Sequence, residues 1–160
     1  MIKKYFLLNA LFVLSVISYA EPLDPVKLLS SYVGIDTVNP PGNESRAVDF
    51  YAKIFEEEGI EFSSAESAPG RGNIWARIKG GDLPALVLLQ HTDVVPATKK
   101  YWDTDPFVAE IKDGYLYGRG VIDMKGAGIS QLVSFIRLHR SGLSLNRDVV
   151  FVATADEEAG

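Results

Sequence analysis

The chain has 160 residues, a formal net charge of −5, 47% hydrophobic residues and no cysteine. That length and apolar content suit one domain with a sizeable core, while the acidic balance argues against nucleic acid as a partner. Without cysteine there is neither a disulfide nor a lipid-bearing N-terminal Cys, and no basic stripe, internal repeat or low-complexity linker interrupts the sequence.

Met1-Ile2-Lys3-Lys4 precedes an almost wholly apolar run from Tyr5 to Ile17, then Ser18-Tyr19-Ala20 and Glu21-Pro22. Residues 1–20 read as a secretory signal peptide, with small residues where a signal peptidase cuts and a Pro just beyond. The rival reading is an uncleaved membrane anchor, but a span needs about 20 apolar residues, and this run is shorter and holds Asn9. Export to the periplasm or the medium is therefore expected. Residues 1–20 carry Lys3 and Lys4 and no acid, so the net charge of −5 becomes −7 without them.

Asp24-Pro25 predicts an N-cap and first helical position, with a helix over 25–34 whose stripe is Leu28, Leu29, Tyr32 and Val33. Asn39-Pro40-Pro41-Gly42-Asn43 is a rigid turn. Asn43 is placed to cap a second helix over 44–58 that buries Ala47, Phe50, Tyr51, Ile54 and Phe55 and ends at Gly59. On this reading Glu56-Glu57-Glu58 is merely its solvated end. Residues 60–63, 73–79 and 85–90 predict strands, the last two joined by a hairpin-like Gly80-Gly81-Asp82 turn. Val108–Lys112 and Tyr115–Tyr117 flank Asp113-Gly114, a strong two-residue hairpin signal. A helix over 125–140 carries Ile129, Leu132, Val133, Ile136 and Leu138, and a last strand covers 148–153. Helices alternating with strands apolar on both faces predict an α/β fold, a three-layer sandwich with a mixed, mainly parallel sheet flanked on both sides by helices.

Two apolar runs end in groups able to bind metal. Ala85–Leu89 runs into Gln90-His91-Thr92-Asp93, and Asp148–Ala155 runs into Asp156-Glu157-Glu158. In α/β sheets chemistry gathers beyond the carboxyl ends of strands, so two such ends suggest one crevice. Taken alone, the acidic triplet reads equally as a polar turn, and His91 equally as a hydrogen-bonded core histidine. Asp93 falls two residues after His91, on the same side in extended geometry, where a carboxylate would orient a metal-bound imidazole. His139, the other histidine, falls in the last turn of its helix, where the helix dipole suffices to explain it. Gly118-Arg119-Gly120 and Asp123-Met124-Lys125-Gly126 do not form a phosphate loop: Asp stands at 123 where a dinucleotide fingerprint needs Gly, and no Gly-Lys-Ser/Thr follows. No Gly-x-Ser-x-Gly occurs either.

His91-Thr92-Asp93-Val94-Val95-Pro96, Gly118-Arg119-Gly120 with Asp123-Met124-Lys125-Gly126, and Asp156-Glu157-Glu158 resemble, in order and spacing, the dizinc exopeptidases and deacylases. That family includes glutamate carboxypeptidase, aminoacylase, acetylornithine deacetylase and succinyl-diaminopimelate desuccinylase. Asp36–Gly42 and Trp102 with Asp105-Pro106-Phe107 also match family landmarks, so the resemblance covers residues 25–160. It implies an incomplete zinc-exopeptidase catalytic domain with two divalent metal ions, zinc first, though N/O ligands also accept cobalt or manganese. It makes His91, Asp123 and Glu158 metal ligands, Asp123 bridging, with Asp93 orienting His91 and Glu157 the general base. It also implies a cis peptide bond at Asp123-Met124.

The implied function is hydrolysis of a peptide or N-acyl amino-acid amide bond by a metal-activated water, with no nucleic acid and no lasting membrane association after signal cleavage. Family members add another carboxylate ligand, a late His and a lid and dimerisation domain, which allows a homodimeric parent. None of these is in the sequence, so residues 21–160 are expected to be the N-terminal part of a catalytic domain. The alternatives are a truncated, inactive fragment or non-catalytic binding module and, remotely, a nucleotide-binding protein using the glycine-rich turn.

Overall fold

In the computed structural model, residues 22–159 are described, so the expected signal peptide lies outside the described residues. Helix α1, Pro25–Val33, starts as its sequence dictates: the Asp24 carboxylate accepts from the Val26 and Lys27 amides at 3.0 and 3.2 Å. Helix α2, Ser45–Glu57, starts differently, because Asn43 does not cap it. Glu44 is already helical and turns its side chain inward to Arg71, leaving the backbone alone to open the helix. At the other end Gly59 takes φ +65°, the left-handed stop expected of it. Glu58 is not simply solvated: its two oxygens accept from the Arg140 guanidinium at 2.6 and 2.7 Å, tying α2 to the helix that ends beside it.

The strands are β1, Phe62–Glu66; β2, Gly72–Ile78; β3, Leu83–His91; the hairpin β4, Glu110–Lys112, and β5, Tyr115–Tyr117; and, after helix α3 (Gly126–Ser141), β6, Arg147–Thr154. The main sheet runs β1-β2-β6-β3. The expected α/β class with a mixed sheet flanked by helices holds, but β6 pairs parallel with β3 and antiparallel with β2, so one pairing of three is parallel. Connection length explains the balance: β1 and β2 are joined by a tight turn, whereas β3 and β6 are separated by a crossover long enough to carry α3.

The Gly80-Gly81-Asp82 turn does not make a hairpin. β6, the most fully buried strand of the sheet, takes the central position between β2 and β3, and the turn passes over its start, with the Gly81 and Leu83 amides on the Leu145 and Asn146 carbonyls. A Cβ on Gly80 would lie 2.0 Å from the Arg147 carbonyl oxygen. Backbone cannot rotate aside as a side chain can, so Gly80→Ala is expected to cost about 1–3 kcal/mol in urea unfolding. A change near zero would mean the crossover is looser than this. The Asp113-Gly114 hairpin forms as expected, with φ of 53° and 81° at its two turn residues.

One sheet face carries Ile74, Ala76, Val149, Phe151 and Ala153 against Tyr32 of α1, Tyr51 and Phe55 of α2, and Ile129, Leu132, Phe135 and Ile136 of α3 in a single core. The expected α3 stripe is present with Phe135 added, while Leu138 is half-buried. All three helices therefore share one face. Among the described residues no helix covers the other, where Trp75, Val87 and Leu89 are exposed. That third layer was inferred from strands apolar on both sides, and apolar side chains do occupy both faces.

Candidate metal centre

The parallel pairing of β3 with β6 builds the site. His91 stands opposite Thr154 in register, and the Thr92 amide and hydroxyl both donate to the Thr154 carbonyl, at 2.9 and 3.0 Å. Parallel strands ending together present residues 91–93 and 155–158 at one edge. A third segment joins them: Val38 bridges Val94, the Asn39 amide donates to Val94 at 2.9 Å, and the Thr37 hydroxyl donates to the Thr92 carbonyl at 2.7 Å.

The turn before α3 delivers Asp123. Gly120 has φ +79°, and Asp123 and Met124 leave helical geometry across a cis peptide bond, as the resemblance implied. Lys125 anchors the turn from below. Its buried ammonium donates to the Tyr32 and Ile35 carbonyls at 3.0 and 2.8 Å and lies 4.7 Å above the Tyr32 ring, and burial pushes its pKa down to about 8 against the pull of Asp36.

All five expected residues converge. His91 is buried, with Nδ1 3.1 Å from the Asp93 carbonyl and Nε2 3.0 Å from Asp123 Oδ1. Glu157 Oε2 is 3.9 Å from Nε2, and ligand atoms of His91, Glu157 and Glu158 all lie within 4.8 Å of one another. Burial lowers the pKa of His91, but hydrogen bonds to Asp123 and to the Asp93 carbonyl, with the Asp93 and Glu157 charges, outweigh it and raise the net value. Glu158 is also raised, first by burial and then by Asp123, Asp93 and Glu157, with His91 opposing.

Asp93 does more than the sequence suggested, and by a different route. Its backbone carbonyl, rather than its carboxylate, takes the His91 Nδ1 hydrogen bond, and the carboxylate stands 3.5 Å away. Fully buried, that carboxylate accepts from Asn39 Nδ2 at 2.8 Å and from the Glu157 and Glu158 amides at 3.3 and 2.9 Å. It thus orients the acidic turn as much as the imidazole. Asn39, Arg71 and Lys125 were not read as site residues. Asn39 and Lys125 stand inside motifs that carry the resemblance but with no role assigned to them, and Arg71 lies in a loop with no pattern. His139 is exposed at the end of α3, away from the site, as expected.

Residues 87–160 match the Peptidase family M20/M25/M40. The chain is 37% identical over 147 residues to succinyl-diaminopimelate desuccinylase of Parvibaculum lavamentivorans, covering 88% of this chain and 36% of that protein. It is 35% identical over 138 residues to Aminoacylase-1 of Homo sapiens, covering 84% of this chain and 34% of that protein. Among solved structures, human carnosine dipeptidase 1 superposes with a TM-score of 0.62 at 29% identity, over 85% of this chain and 32% of that one. An M20 family metallo-carboxypeptidase from Sulfolobus solfataricus gives a TM-score of 0.73 at 21% identity, over 86% of this chain and 32% of that one, a likeness of fold alone. The chain spans about a third of the length of the curated relatives it matches.

Proposed function

We propose, from this chain's kinship with peptidase family M20/M25/M40, that His91, Asp123, Glu157 and Glu158 form part of a dinuclear metal site that hydrolyses peptide or N-acyl amino-acid amide bonds. One observation carries this reading: His91 Nε2 stands 3.0 Å from Asp123 Oδ1 while Nδ1 is committed to the Asp93 carbonyl. A neutral imidazole with its proton on Nδ1 presents only a lone pair at Nε2. Two acceptors at that distance need a cation between them, either a second proton or a metal ion. Glu157 and Glu158 add negative charge around the same point, so a divalent ion answers the cluster better than one proton. An imidazole with carboxylates suits zinc, cobalt or manganese.

In this reading His91, Asp123 and Glu158 would hold the divalent ions, and Glu157 would be the general base. Divalent ions bound there would polarise an amide carbonyl and acidify a water. The chain's own residues supply the remaining steps. The Asp93 carbonyl holds His91 in one tautomer, and the Asp93 carboxylate fixes the backbone beneath both glutamates. The Glu157 side chain, 62% exposed, can take a proton from water at its carboxylate and return it to the leaving amine. The matched relatives are named as a desuccinylase, an aminoacylase and a dipeptidase, which supports an amide flanking an amino acid as the substrate class.

A second reading, a binding module or inactive fragment, rests on the small ligand set: among the described residues, His91, Glu157 and Glu158 form the group whose ligand atoms lie within 4.8 Å of one another. Calorimetric titration of the chelator-treated 160-residue chain with Zn²⁺, beside hydrolysis of N-acyl amino acids and dipeptides, separates the two. Saturable zinc binding abolished by His91→Ala is expected, with little turnover by this chain alone. No saturable binding, or binding indifferent to His91, would sink the metal reading, and brisk zinc-dependent hydrolysis would sink the inactive one.

A further inference from the structure

Arg71 leaves the β1–β2 turn and passes between two carboxylates, Glu44 Oε1 and Asp156 Oδ1, each 2.9 Å from the same guanidinium nitrogen. Glu44 is fully buried and Arg71 is 18% exposed, so that pair is formed largely out of water, while Asp156 is 40% exposed. The guanidinium sits in a slot open only because residue 42 is glycine: at φ +77°, a Cβ there would lie 1.7 Å from Arg71 Nη1. Asp156 is itself unusual, a non-glycine residue at φ +68° immediately before the two glutamates. Such a conformation is strained for a residue with a side chain and persists only where its surroundings hold it. Arg71 from one side and Asn39 Nδ2, 3.2 Å away, from the other are those surroundings.

The left-handed turn at Asp156 redirects the chain so that the next two amides, those of Glu157 and Glu158, both point to the Asp93 carboxylate. We propose that Arg71, acting through Asp156, is a positioning residue for the Glu157–Glu158 pair. Arg71 lies one strand away from the cluster and binds neither glutamate. Its charge fixes the residue whose backbone angle aims them. Asn39 couples the same point to Asp93, donating to both carboxylates, so the glutamate backbone is held through one continuous chain: Glu44, Arg71, Asp156, Asn39, Asp93. The importance of the turn rests on the metal-site reading above, but the geometry it describes does not.

Arg71 has a simpler possible duty, neutralising buried Glu44, and the test separates the two. Amide hydrogen exchange is read by NMR on the metal-free chain and on Arg71→Met, Arg71→Lys and Glu44→Gln. Arg71→Met is expected to speed exchange at Glu157 and Glu158 about tenfold or more while the core amides of β6 stay protected, since local opening need not involve the core. Arg71→Lys, keeping charge without the planar fork, should fall between. Glu44→Gln should leave both amides near the parent rate, because the Arg71–Asp156 link survives. Zinc affinity of Arg71→Met should fall by roughly 10–100-fold, the usual effect of losing a supporting contact around a metal site.

Exchange at Glu157 and Glu158 within about twofold of the parent would overturn the proposal. If Arg71→Met does not fold, Asp156→Asn is read in the same way. If both variants lose protection throughout β6, Arg71 holds the fold rather than the turn, and the proposal again fails. Because exchange is measured without metal, a chain that shows the local effect but never binds zinc overturns only the metal reading. One that binds zinc with unchanged exchange overturns only this one.

Discussion

Glu158→Ala is expected to abolish measurable zinc binding, whereas Glu157→Gln should keep it within several-fold of the parent. The two residues are adjacent and both reach the His91 imidazole region, so distance alone does not divide their work. Burial and charge do. Glu158 is the less exposed, and its carboxyl is held up by burial and by three neighbouring carboxylates, an environment that a bound cation relieves. Glu157 is open to solvent, as a proton shuttle must be. Removing a ligand with its charge should exceed the roughly 10–100-fold loss typical of supporting residues. A Gln at 157 keeps the shape but cannot accept a proton, so in an enzyme that includes the rest of the catalytic domain turnover should fall by about 10²–10⁴-fold or more. Calorimetry on the 160-residue chain and kinetics on such an enzyme read the two effects separately. Zinc lost from Glu157→Gln and kept by Glu158→Ala would reverse the assignment and imply that the turn after β6 is rotated by one residue.

The site's residues were legible because each stands at a place where a regular element stops. His91 and Asp93 follow a continuous apolar strand and Glu157 and Glu158 follow another, so period and polarity put these four at strand ends, while Asp123 and the proposed roles come from the resemblance of the motifs. What was not legible depends on pairing across the chain. The Gly80–Asp82 turn has a good local hairpin signature, yet β6, which begins 65 residues after Asp82, claims the place between β2 and β3. Asn43 is a good local cap, yet the pull of Arg71 on Glu44 makes it unnecessary. Asn39 and Arg71 bond groups more than 50 residues away, Asp93 and Asp156 respectively, and no short-range pattern announces such a partner. Nor does any pattern say that the Asp93 carbonyl would take the imidazole and leave its carboxylate to the backbone of the acidic turn.

Phe151→Ala is expected to remove most of the chain's stability. Phe151 is fully buried on the central strand, with the rings of Tyr51, Phe55 and Phe135 centred 5.3, 5.5 and 5.8 Å from its own and Leu88 beside it in register on β3. It is where α2, α3 and the sheet meet, so neighbours on three sides cannot all close on the space it leaves. Truncating such a residue costs about 3–5 kcal/mol, against a total stability of about 5–15 kcal/mol for a domain. The exposed apolar face of the sheet, with Trp75, Val87 and Leu89 in water, places this chain toward the lower end of that range. Urea unfolding should show the midpoint collapse, and a loss below about 1 kcal/mol would contradict the central role assigned to this ring. The functional consequence follows from position: β6 leads into Glu157 and Glu158, so Phe151→Ala should lose zinc as its fold is lost at low urea, while His91→Ala loses zinc without urea and keeps the fold. That contrast separates the core that sets the strand from the edge proposed to bind metal.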